Sequence, residues 1–212
     1  MLAYKFLRRG AVGPFSGFRW PRPRRGGPGA WVGVDGALEL CTSGVHACRV
    51  SHLPYWLNDE LWAVELEGEL REEPRCLLAP RGRLVGQVDA WTRAVARELN
   101  EACARRTRDL VVAALQRAGF AKEAEALATA GKPDAIDQAA LAAAEAASRA
   151  GAADAAAAAG FASDCAWCLT EGGARIGSYS AAYAAARVAK DAGAFARERD
   201  WQARWLAERL GL

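Results

Sequence analysis

The chain has 212 residues, of which 52% are hydrophobic and 25% charged, enough for one large or two small domains with a buried core. No apolar run reaches the ~20 residues of a membrane span, and MLAYKFLRRG lacks the apolar stretch of a secretory signal, so membrane insertion and export are not expected. With a net charge of +3 and six scattered cysteines that read as reduced thiols, the expectation is a cytoplasmic protein.

Charge is unevenly spread. Residues 1–34 hold Lys5, Arg8, Arg9, Arg19, Arg22, Arg24 and Arg25 and no acid, whereas residues 35–75 carry nine acids against three arginines. Along the chain, AYKFLR reads as a short strand. GPFSGFRWPRPRRGGPG is broken by Gly and Pro into a loop. AWVGV and ALELCTS read as paired strands about the Asp35-Gly36 turn, GVHAC as a further strand, and SHLPYWLNDE as a short helix or turn. LWAVELEGEL alternates most clearly, with Trp62, Val64, Leu66 and Leu70 on one face and Glu65, Glu67 and Glu69 on the other. CLLAPRGRLVGQV supplies one or two strands around Arg81-Gly82.

From Asp89 onward the period changes to that of helices. Asp89 is the expected cap of a helix whose apolar stripe runs through Trp91, Val95, Leu99, Ala102, Cys103, Leu110 and Ala114. Gly119 or Gly131 breaks it, Pro133 opens another around 136–150, and further helices are expected near 152–170, 178–191 and 194–210. The last presents Trp201, Trp205, Leu206 and Leu210, and Ala155–Ala159 suits close helix packing. The fold class is therefore α+β: an N-terminal antiparallel β-sheet over residues 1–88 with a C-terminal antiparallel helical bundle over 89–212. Trp91, at the junction, makes a shared core the alternative to two separate ones.

Both histidines fall in CTSGVHACRVSH. Cys41, His46, Cys48 and His52 are soft or borderline ligands in a C-x4-H-x-C-x3-H order that fits no common zinc knuckle, so zinc competes with a reading as core thiols and a hydrogen-bonded histidine. Cys165 and Cys168 have C-x-x-C spacing on an expected helix without a companion pair, which favours buried structural thiols over redox chemistry. Phe15, Phe18 and Trp20 lie among Arg19, Arg22, Arg24 and Arg25. Such a loop could stack bases and track phosphates, or simply be solvated, and nucleic acid is the weaker of these readings. No Walker A, G-x-G-x-x-G or G-x-S-x-G motif is present.

Tyr4–Leu7, Gly44–Cys48 and Val64–Glu69 together resemble a small bacterial and phage domain of unknown function with a YKFL…GxHAC…strand skeleton, over roughly residues 3–91. That likeness implies a common fold and no activity. Arg9-Gly10, Gly44–Ala47, Tyr55 and Ala63–Gly68 also resemble, faintly, the order of motifs in ADP-ribosyltransferases. This second likeness implies an NAD-type ligand, with Arg9 at the ribose or amide and His46 in place of a stacking tyrosine. The late glutamate motif is missing, and Gln87 and Asp89 stand nearest to it. The candidate catalytic residues are thus His46, Glu65 and Glu67, and the candidate ligand-binding residues Arg9, Tyr55, Arg19 and Trp20. The expected function is binding or processing of a nucleotide such as NAD in a cleft around His46, walled by Tyr55, the basic loop and the helical half. The alternative is a non-enzymatic interaction module, engaging a small molecule or protein partner through the basic loop and the C-terminal Trp helix.

Overall fold

The computed structural model describes residues 1–212 and is α+β, with antiparallel sheets followed by helices. The strands are β1 (Leu2–Leu7), β2 (Val32–Gly33), β3 (Val45–Ala47), β4 (Glu60–Glu67), β5 (Arg71–Glu73), β6 (Cys76–Ala79) and β7 (Arg81–Gln87). The helices are α1 (Arg93–Arg117), α2 (Ala121–Thr129), α3 (Pro133–Arg149), α4 (Ala153–Glu171), α5 (Ala174–Ala189) and α6 (Ala192–Leu210), and a 3-10 helix spans Val50–Tyr55. No helix is long and apolar enough to cross a membrane. Two compact units result, residues 1–95 with 203–212, and residues 96–202.

In the first unit one sheet has the order β1-β4-β7-β2 and the other β3-β6-β5, all pairs antiparallel. Backbone bonds between Tyr4 and Cys48, 2.9 and 2.7 Å, link the edges of the two sheets. The alternation read in β4 is realised: Trp62, Val64 and Leu66 are buried with Ala3, Leu7, Trp20, Val45, Ala47 and Leu84, whereas Glu65 and Glu67 face outward. Leu70 lies beyond the end of β4 and still packs on this core. Trp91 packs edge-on against Phe6 at 5.3 Å and donates its indole N–H to the Asn58 carbonyl.

Two local expectations are corrected. ALELCTS is not a strand, and the Asp35-Gly36 hairpin does not form. β2 pairs with β7 instead, and the 37–43 segment coils on itself through Glu39–Ser43 backbone bonds with Cys41 in the left-handed region. The break between the last two strands falls at Pro80, which lacks the ladder N–H, and not at Arg81-Gly82.

At the start of the helical part, Thr92 and not Asp89 caps α1: its hydroxyl accepts the Val95 N–H at 3.2 Å. The buried stripe of α1 continues through Thr107, Val111 and Leu115, so Leu110 and Ala114 sit one position off the core line. Gly119 and Gly131 each fall in a break, one on either side of α2. Pro133 opens α3, where a missing N–H costs nothing, and Asp191 caps α6 by accepting the Gly193 N–H. Ala140, Ala143, Ala158, Ala159 and Ala162 are buried against Val111, Leu115 and Leu127. Methyl side chains let helix backbones approach closely, so this core gains its packing from proximity and not from bulk.

Because that space is filled, Ala159→Leu forces three extra carbons between helices. We expect it to lower stability by about 1–3 kcal/mol in a denaturant titration; an unchanged midpoint would mean the helices part readily.

Candidate functional site

The segment between β1 and β2 is the most cationic stretch of the chain, and the structure gives it a defined shape. Antiparallel pairing sets Leu7 opposite Glu60, so the backbone just beyond β1 runs against the start of β4. The Arg9 N–H donates to Asp59 at 2.9 Å, and the Gly10 and Ala11 N–H groups donate to the Glu60 carboxylate at 2.8 and 2.9 Å. Gly10 has a φ of +88°, which suits it to this turn. The Trp62 indole N–H adds a third bond to Glu60 at 3.0 Å, and Arg22 lies 3.6 Å away. Burial alone would push the Glu60 carboxyl upward, but the Gly10, Ala11 and Trp62 donors and the Arg22 charge together hold it below the usual carboxylate range.

Beyond this clasp the chain turns twice. Gly13 and Phe18 close one turn (N–H to carbonyl, 2.8 Å), and Arg24 and Gly27 close another at 3.1–3.2 Å. Gly29 returns the chain to β7 by donating to the Leu84 carbonyl; a Cβ there would lie 2.2 Å from the Pro21 carbonyl, so only glycine fits. Between the turns is an open groove of about 680 Å³, lined by Gly10, Arg19, Trp20, Pro21, Arg22 and Arg24. Its lining residues include three arginines and the largely buried Trp20, and no acidic residue, histidine or cysteine.

Of the candidate ligand-binding residues, Arg19 and Trp20 meet in this groove. Arg9 is exposed at the neighbouring turn. Tyr55 does not line it; it packs beside His52 and beneath Arg75, whose guanidinium is 4.8 Å from the ring. Lys5 lies on the inward side of Trp20, its ammonium 5.3 Å from the ring centroid and bonded to the His46 carbonyl. Burial lowers the Lys5 pKa to about 8.

The candidate catalytic residues lie elsewhere. His46 accepts the Cys41 N–H on Nε2 at 3.0 Å, and its Nδ1 lies 3.1 Å from the Gly44 carbonyl, the pattern of a neutral ring with the proton on Nδ1. Burial lowers its pKa, in keeping with that neutral form. Both ring nitrogens therefore brace the 41–46 loop. Glu65 pairs with Arg83 at 2.6 Å and Glu67 with Arg81 at 3.5 Å, directly across the β4–β7 ladder, and Trp31 lies within 4.5 and 5.3 Å of those guanidiniums. Glu69 is exposed beyond the end of β4.

Cys41, His46, Cys48 and His52 are not gathered around a common point, and no group of three or more His, Cys, Asp or Glu side chains is placed to hold a metal. Cys41 is exposed, whereas Cys48, Cys76, Cys103, Cys165 and Cys168 are buried. Burial pushes the thiols of Cys48 and Cys165 up to about 12 and that of Cys168 to about 11, which leaves them protonated and poorly nucleophilic. In the C-terminal helix, Trp201 is half-buried with its ring 4.1 Å from Arg106, which makes a two-pronged bond to Glu198.

The sequence reading missed Glu60, Asp59 and Lys5. Only the β1–β4 register brings the two carboxylates beneath the turn, and only the sheet packing puts a lysine on an inward face. Comparisons with family models, with curated proteins and with solved structures found no match.

Two measurements test this geometry. Glu60→Gln places an amide NH2 against N–H donors, and should cost about 1.5–3 kcal/mol at pH 7. The native carboxyl is held below its unfolded value of about 4.3, so the stabilisation is complete above that pH and is lost as pH falls through the native value. The gap between wild type and variant should close in acid; a pH-independent gap would contradict an ionised Glu60. In the second test, a thiol reagent at pH 8 should titrate one cysteine quickly, Cys41, and the other five only after denaturation. Two or more fast thiols would contradict their burial.

Proposed function

We propose that the groove binds a phosphorylated ligand of the nucleotide class, NAD among the candidates. The observation that carries this reading is the convergence of Arg19, Arg22, Arg24 and Trp20 on one groove. Guanidinium forks match phosphate oxygens in geometry and charge, and each can donate two parallel bonds to one group. Pro21 and the small exposed part of Trp20, 6% of its surface, supply an apolar contact for a ribose. Arg22 is held toward the groove by Glu60, which spares part of the entropy of ordering a long side chain on binding.

The lining offers no general base, acid or nucleophile, so binding is favoured over turnover. His46 is separate from this reading, since the 41–46 loop occupies both of its ring nitrogens. Glu65 and Glu67 are likewise engaged by Arg83 and Arg81.

Isothermal titration with NAD, ATP and inorganic triphosphate tests the proposal. Binding should weaken on Arg19→Glu or Arg24→Glu by at least about tenfold each, the worth of one charge-assisted bond of roughly 1.5–3 kcal/mol. His46→Ala should leave the affinity unchanged. Absence of binding by every phosphate ligand, or loss only in His46→Ala, would overturn the assignment to this groove.

A further inference from the structure

We infer that the occupant for which this groove is shaped is a segment of single-stranded nucleic acid, an inference that rests on the phosphate-binding reading above. Three observations extend the site past what a mononucleotide uses. First, Phe15 is 75% exposed and Phe18 47% exposed, on a turn closed by backbone bonds and by the Ser16 hydroxyl, which accepts the Phe18 N–H. Phe18 stands edge-on to Trp20, 5.9 Å between centroids, so its exposed ring adjoins a residue that lines the groove.

Second, the opposite turn, closed between Arg24 and Gly27, projects Arg24 and Arg25 into solvent. Phe18 thus adjoins one lining residue of the groove, Trp20, and Arg24 is itself another. Third, Arg9, Arg19, Arg24 and Arg25 have no carboxylate within ion-pair distance, so four guanidinium charges near one loop are left for an external anion. Arg22 makes a fifth cation, its charge shared with Glu60 at 3.6 Å.

Bases stacked on rings, with phosphates tracked by cations, is the chemistry of sequence-tolerant single-strand binding. Duplex DNA keeps its base faces stacked inside and has nothing to offer Phe15 and Phe18. An acidic peptide would engage the arginines and leave the rings unused.

The test is fluorescence anisotropy with labelled dT12 and U12, a 12-base-pair duplex, and polyglutamate as competitor, beside the NAD and ATP titrations. Expected are binding of a single strand in preference to duplex and mononucleotide, and a log–log salt slope of about −3, from ~0.7 per cation neutralised over four cations. Phe15→Ala and Phe18→Ala should each weaken it by about 5- to 150-fold, the worth of one stacked base. Both residues are exposed, so these variants should melt with the wild type, and NAD or ATP binding should be unaffected. Equal affinity for duplex, equal competition by polyglutamate, or indifference to both substitutions would overturn the inference and leave the groove as a phosphate site. Binding of mononucleotides without any preference for dT12 or U12 would overturn it in the same way. Failure of every phosphate-bearing probe would overturn both readings.

Discussion

A carboxylate that sits 13% exposed, at the first residue of β4, organises the part of the molecule on which the candidate site depends. Desolvating Glu60 is unfavourable, and it is offset by two backbone N–H groups, an indole N–H and a guanidinium. Those same donors belong to the turn after β1, to the core tryptophan of β4 and to the basic loop. One ionised group therefore ties together the turn after β1, the Trp62 indole and Arg22. Without it, the glycine- and proline-rich loop from residue 10 to 29 would lose the carboxylate that binds Gly10 and Ala11 to the start of β4. It would then keep the Gly29–Leu84 bond and the burial of Trp20.

A second charge is held inside the same unit. Lys5 projects from the inward side of β1, where Ala3 and Leu7 are core residues, and donates to the His46 carbonyl beside Trp20. The bond runs from the first sheet to β3 of the second, parallel in effect to the Tyr4–Cys48 backbone bonds. Together they tie the GVHAC segment to the first strand, and explain why a histidine whose ring merely braces its own loop sits in so ordered a place. The second unit also buries a cation. Arg199 is fully buried, donating to the Ser178 hydroxyl and to Gln202, while Gln202 donates to the Ser178 carbonyl and the guanidinium lies 4.0 Å from the Tyr179 ring. A one-residue slip between α5 and α6 would strand that cation, so the cluster fixes a register that an alanine-rich interface specifies poorly.

What could be read from the sequence follows the range of the forces involved. β4 was legible because Trp62, Val64 and Leu66 alternate with Glu65 and Glu67, and the helices because their stripes repeat and Gly or Pro punctuates them. ALELCTS alternates too, but its choice between pairing and coiling was settled by β7, a strand some forty residues away that takes the edge of β2. The loop's arginines and aromatics were visible as composition, and Arg19 and Trp20 proved to share a groove. The groove itself was not visible, because it needs Gly29 to close the loop and Glu60 to clamp it, and neither residue carries a local signature of that role. The histidine motif was the opposite case: chemically suggestive in sequence, yet engaged locally by the Cys41 amide and the Gly44 carbonyl.

The contrast between two sets of arginines shows why position decides which charges are available to a ligand. Arg81 and Arg83 alternate on β7 at the spacing that puts both on one face, opposite Glu67 and Glu65, and Trp31 covers them. Strand pairing brings these charges to within about 3.5 Å or less of their partners, where they neutralise one another and little field remains for an external anion. Arg19, Arg24 and Arg25 sit on a loop held by Asp59 and Glu60, carboxylates already committed to backbone N–H groups and to Arg22. Four acids of the first unit, Asp59, Glu60, Glu65 and Glu67, are thus engaged in holding the loop's shape and the β4–β7 face. The first unit keeps a net positive charge, and part of that surplus lies on the loop that also exposes Phe15 and Phe18.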